Sequence, residues 1–202
     1  MEDLSGDKPD IAEEDLLRAN IYSLLARLLA RPPGAATLTM VAELEGDQTE
    51  MGRALSTLAA TASGSTPEAV DEEYQALFIG VLGSEINPYV SFYQTGFLFD
   101  QPLANLRIDM GKLGIARAQD VVEPEDHIAA LCEMMCGLIT GAFGEPANLA
   151  AQQKFFDSHI APWAQHLFED LERAQLAAFY MPVGTVGKLF VEIESQAFQM
   201  AA

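Results

Sequence analysis

A chain of 202 residues, half of them hydrophobic, can bury a sizeable core and does not have the composition of a disordered protein. Its 30 acids against 11 bases give a formal net charge of -19, which disfavours nucleic acid and anionic membranes as partners and favours basic ones. No run reaches the roughly 20 apolar residues of a membrane span, and the first 15 residues lack the basic start and apolar middle of a secretion signal, so a cytoplasmic location is expected.

Residues 1–12 read as a disordered acidic tail, and residues 13–202 as one helical domain. Leu16, Leu17, Ala19, Tyr22, Leu24, Leu25, Leu28 and Leu29 recur at helical spacing, and Arg31-Pro32-Pro33-Gly34 ends that first helix. Shorter helices are expected over residues 38–44 and 51–62. Thr66 is placed to cap the next helix, with Pro67 at its first position, and Val70, Tyr74, Leu77, Phe78 and Val81 continue it. Residues 83–93 have no clear period and read as an ordered loop. Helix resumes over 102–113, and residues 114–122 form a long connection that is a candidate hinge. The strongest helix spans 124–143, and others run from about 146 to 156, 159 to 171 and 183 to 198, with Tyr180-Met181-Pro182 between the last two. Alternating strand patterns are absent. The fold class is all-α, a single globular helical domain.

Catalytic patterns mostly fail. There is no Gly-rich phosphate loop, no Gly-x-Ser-x-Gly elbow and no Glu-x-x-His pair, so no enzyme is expected. Cys132 and Cys136 fall on one face of a helix without further metal ligands and read as thiols of the core. His159 and His166, near Trp163, read as packing residues.

Two polar segments stand apart. In Glu123-Pro124-Glu125-Asp126-His127, three acids, a proline and a histidine open a long apolar run. Proline in a first helical turn and carboxylates at the positive end of the dipole give it the look of a helix start. It also sets an imidazole among carboxylates where a ligand can be met. An unperturbed His127, with a pKa near 6.5, would make such a site pH-sensitive. Upstream, Pro88-Tyr89-Val90-Ser91-Phe92-Tyr93 offers an aromatic surface.

These segments together resemble the TorD/DmsD/NarJ family of redox-enzyme maturation chaperones. The resemblance runs from about residue 15 to 198. It rests also on Leu16-Leu17-Arg18-Ala19-Asn20-Ile21-Tyr22, on Glu73-Tyr74-Gln75-Ala76-Leu77-Phe78, and on Phe155-Phe156 followed by His159-Ile160-Ala161-Pro162-Trp163. The resemblance implies a TorD-like helical bundle and a cytoplasmic chaperone of molybdenum-cofactor oxidoreductases. Such a chaperone binds the basic, often twin-arginine, leader of the catalytic subunit until the cofactor is inserted.

It further implies a leader-binding surface of Pro88, Tyr89, Ser91, Tyr93, Glu123, Asp126 and His127. Asp126 and Glu123 would meet guanidinium groups, and Tyr89 and Tyr93 would pack on the apolar segment. No resident cofactor is implied beyond weak GTP binding, and the chain would be a monomer or a segment-swapped homodimer. Phe97-Leu98-Phe99 and Pro102-Leu103-Ala104-Asn105-Leu106-Arg107 look more like branches that serve formate dehydrogenases. Two other readings stay open: an acidic helical adaptor without a leader site, and a weak GTP-binding or GTP-hydrolysing protein.

Overall fold

Leu25, Leu28 and Leu29 of α1 (Glu13–Ala30) are buried against Leu131, Met135 and Leu138 of α7 (Ile128–Thr140), and this helix pair forms the centre of the core. The computed structural model describes residues 11–80, 83–117 and 122–201. Nearly all of the expected tail at 1–12, the middle of the expected hinge at 114–122, and Val81 lie outside the described residues.

Between α1 and α7 come α2 (Ala35–Ala42), α3 (Glu50–Ser63), α4 (Pro67–Tyr74), α5 (Val90–Thr95) and α6 (Gln101–Lys112). After α7 follow α8 (Leu149–His159), α9 (Ala164–Arg173) and α10 (Tyr180–Ala201). Among the described residues, helices and one isolated backbone bridge make up the regular structure, so the domain is all-α. The last helix packs on α9 and α3, α2 lies on α3, and α8 lies on α7. Gly184 permits the close approach of α9 and α10, since a Cβ there would lie 2.8 Å from both the Phe168 carbonyl oxygen and the Glu172 nitrogen.

Local signals explain several helix ends. Glu13, Glu14 and Asp15 occupy the first turn of α1, where carboxylates complement the dipole. Thr66 Oγ1 accepts from the Ala69 N–H at 3.3 Å with Pro67 next to it, as its sequence predicts. Asn148 Oδ1 caps α8 by accepting from the Ala151 N–H at 2.9 Å. The helix from Pro67 widens into a π-turn over Gln75–Ile79 and stops at Gly80.

Four expectations need correction. Residues 83–93 are not wholly loop, because Val90–Thr95 is helical. The expected helix over 159–171 is two helices, because α8 ends at His159 and α9 starts at Ala164. Pro162 has no N–H to donate there, and the Trp163 indole N–H instead donates to the His159 carbonyl at 2.8 Å. The helix expected over 124–143 spans only Ile128–Thr140, so Pro124 and the acids precede it. Tyr180-Met181-Pro182 is not a separator but the first turn of α10, where proline is tolerated.

Two carboxylates, Glu194 buried and Glu73 partly buried, tie the helices together. Glu194 on α10 accepts from Arg18 Nε at 2.7 Å, Arg18 Nη2 at 2.9 Å and the Tyr22 hydroxyl at 2.9 Å. Arg18 Nη1 also donates to Asp15 at 2.6 Å and to Gln152 Oε1 at 3.0 Å, so α1, α8 and α10 share one network. Glu73 does for the start of α10 what no local residue does. Its carboxylate accepts from the backbone N–H groups of Ala178 at 2.8 Å, Phe179 at 3.0 Å and Tyr180 at 2.8 Å. A helix N-terminus leaves such donors without intrahelical partners. Glu73→Ala is expected to cost about 2 kcal/mol. In urea unfolding the midpoint should drop at constant slope; an unchanged midpoint would refute the capping role.

Candidate functional site

The two singled-out segments meet. Tyr89 and His127 form an antiparallel bridge in which the Val90 N–H donates to the Asp126 carbonyl at 3.0 Å and the Ile128 N–H donates to the Pro88 carbonyl at 2.9 Å. Their rings stand edge to face, with centroids 5.1 Å apart. The Tyr89 hydroxyl donates to the Glu123 carboxylate, and burial followed by that carboxylate pushes the phenol pKa up.

Asp126 is 1% exposed, and its carboxylate accepts from the Ser91 N–H at 3.0 Å and the Ser91 hydroxyl at 2.5 Å. It thereby caps α5 from another part of the chain, which is why an aperiodic stretch becomes helical. That use corrects its sequence-based role: the Asp126 oxygens are engaged with buried Ser91 rather than turned outward to a guanidinium. Glu125 is likewise engaged, accepting from Arg107 Nη2 at 2.8 Å and Nε at 3.1 Å, with Arg117 Nη1 at 3.7 Å. Burial works to raise the Glu125 carboxyl pKa, but these two cations bring it below its ordinary value.

His127 is the N-cap of α7. Its Nδ1 accepts from the Ala129 N–H at 3.1 Å, which leaves the proton on Nε2. Burial pushes the imidazole pKa down to about 4, with the Asp126 charge offsetting part of that shift. The expected titration near neutral pH is thus displaced by desolvation.

His127 and Glu123 line a cavity of about 330 Å³ with Met110, Ile115, Ala129, Ala130, Met134 and Phe143. The floor is apolar. Exposed Glu133 and Glu123 stand at its edge, and Arg117 donates to the Val122 carbonyl at 2.8 Å and spans the ends of the connection between α6 and α7. An apolar floor with carboxylates at its edge suits a chain that is apolar in one part and cationic in another.

The structure thus gathers Pro88, Tyr89, Ser91, Glu123, Asp126 and His127, but of these only Glu123 and His127 line the cavity. Tyr93 is not in this group. Its hydroxyl donates to Asp170 at 2.9 Å and its ring packs on Trp163, toward α9. Glu133 was missed by sequence reasoning, although it is the lone charge within Ile128–Thr140. Among the described residues, no three His, Cys, Asp or Glu side chains gather where a metal ion could be held. No described helix is long and apolar enough to cross a membrane.

A family model described as nitrate reductase delta subunit matches residues 44–169. The chaperone protein TorD of Photobacterium profundum is 27% identical over 186 residues, covering 81% of this chain and 85% of that protein. The Tat proofreading chaperone DmsD of Haemophilus influenzae is 32% identical over 113 residues, covering 55% of this chain and 53% of its own length. A crystal structure of a redox enzyme maturation protein from Archaeoglobus fulgidus superposes with a TM-score of 0.61 over 95% of this chain and 99% of that one. At 19% identity that likeness concerns the fold alone.

Proposed function

The chain belongs to the nitrate reductase delta subunit family, which unites the TorD, DmsD and NarJ maturation chaperones, and from that premise we propose that it binds the N-terminal leader of a molybdoenzyme catalytic subunit. Binding there delays export or assembly until the molybdenum cofactor has been inserted. In this reading the chain works in the cytoplasm, performs no catalysis and needs no resident cofactor. The leader is of the twin-arginine type. A formate dehydrogenase is the client class we favour, because of Phe97-Leu98-Phe99 and the 102–107 segment.

The observation that carries the proposal is the Tyr89–His127 bridge, which joins two distant segments beside an apolar cavity rimmed by Glu123 and Glu133. The leader's apolar segment occupies the cavity, where burial supplies about 25 cal/mol per Å² of apolar area. Its guanidinium groups meet Glu123 and Glu133, which set register and on-rate more than affinity. His127 Nε2–H donates to a leader carbonyl, and Tyr89 flanks the entrance. Pro88, Ser91 and Asp126 serve as the frame rather than the contact surface, and Tyr93 lies outside it, toward α9.

Calorimetry with a synthetic leader peptide tests this. The Glu123→Gln, Glu133→Gln double variant is expected to bind about tenfold more weakly, about 1.4 kcal/mol, and to show less dependence on salt. Both side chains are exposed, so the fold is retained. Unaltered affinity would remove these acids from the site. Absence of peptide binding by the unmodified chain would remove the leader reading altogether.

A further inference from the structure

A second, larger cavity of about 950 Å³ adjoins the first and shares Ala30, Glu133 and Phe143 with it. It lies over the other half of the α1–α7 seam, between Arg27, Arg31 and Pro32 on one side and Cys136, Gly137 and Thr140 on the other. Phe143 is the divider. Its ring lies against Gly137 so closely that a Cβ at that position would sit 2.2 Å from the Phe143 Cε2. The ring is nonetheless 41% exposed.

The two compartments differ in charge. The first has Glu123 and Glu125 beside Arg117, the second has Arg27 and Arg31, and Glu133 stands where the two meet. Among the described residues, Arg27, Arg31 and Lys154 are the cations with neither a hydrogen-bond nor an ion-pair partner, although the chain holds 30 acids. Two of those three line one cavity. From Ala129 to Thr140 along α7 is roughly 16 Å at about 1.5 Å per residue, the length of about five extended residues.

Building on the leader reading, we infer that the two cavities form one polar-ended trough. It takes an extended segment in a single direction, with the leader arginines toward Glu123, on the far side of the shared Glu133, and a carboxylate side chain about five residues away at Arg27 and Arg31. Aligned charges of opposite sign at the two ends make the reversed orientation repulsive at both, and that is how direction is specified. Arg27 and Arg31 also stand at the negative end of the α1 dipole and offset it, so that a carboxylate can approach there.

The test uses two synthetic leader peptides that share an arginine pair and an apolar run, and that carry Glu or Gln about five residues from the arginines. Binding is followed by calorimetry on the full chain, with melting curves as a check of folding. The unmodified protein should bind the Glu peptide five- to tenfold more tightly. Arg27→Gln, Arg31→Gln should erase that preference while binding the Gln peptide as before. Equal affinity for the two peptides, or a preference that survives in the variant, overturns the trough and leaves the leader reading standing. A variant that only melts earlier assigns the arginines to the helix dipole and overturns the proposal. Failure of both peptides to bind the unmodified protein defeats the leader reading, and the trough with it.

Discussion

Replacing Glu194 by Ala is expected to lower the unfolding free energy by about 3–5 kcal/mol, the cost of stranding a buried ion-pair partner. Glu194 is 1% exposed and takes three bonds, two from Arg18 and one from the Tyr22 hydroxyl. Without it the half-sheltered Arg18 guanidinium keeps only Asp15 and Gln152, and a buried phenol loses its acceptor. Unsatisfied buried groups are where large single-site losses arise. In a domain of this size the midpoint of thermal unfolding should fall by about 10 °C, at roughly 2–4 °C per kcal/mol. Glu194→Gln keeps the volume and an acceptor, so its loss should be smaller. The triple variant Arg18→Met, Glu194→Met, Tyr22→Phe removes all partners together and should recover most of the stability, because apolar replacement of a buried pair is often neutral. A loss below about 1 kcal/mol in Glu194→Ala would mean that the network contributes little beyond geometry.

The same physics separates what was legible in the sequence from what was not. Helical period alone located α1, α3 and α10, because their apolar stripes face a core that any such stripe must find. Thr66 and Pro67 were readable because their signal is local. The start of α7 misled for the opposite reason. Acids and proline before an apolar run are the local marks of a first helical turn, yet Glu125 is drawn to Arg107 and Asp126 to Ser91. His127 takes over as the cap. Helix α5 was illegible because its capping group, Asp126, is 35 residues away in sequence. Tyr89 and His127 could be paired through family resemblance, but the cavity beside them draws its walls from α1, α6, α7 and Phe143. No spacing rule links those elements.

Acidification should expose the role of His127. Its pKa is about 4 in the folded protein against an ordinary 6.5, so between those values the unfolded chain holds the extra proton. Stability from this group is therefore complete above pH 6.5 and declines as the pH falls toward 4. The total is about 3 kcal/mol, from a difference of roughly 2.5 pH units at 1.36 kcal/mol each. The cause is geometric: a charged imidazole would lie in an apolar setting, and a protonated Nδ1 could no longer accept from the Ala129 N–H. His127→Asn supplies a cap that does not titrate. Urea unfolding at pH 7.5 and 4.5 should show a loss in the unmodified chain that is about 2 kcal/mol greater than in the variant. His159 and the carboxylates titrate in both, so the comparison isolates His127. Across pH 6 to 8 His127 stays neutral, and leader affinity should be flat, not the pH-sensitive profile that an unperturbed imidazole would give. Identical acid losses in the two proteins would place the His127 imidazole in water, and the buried cap described above would be wrong.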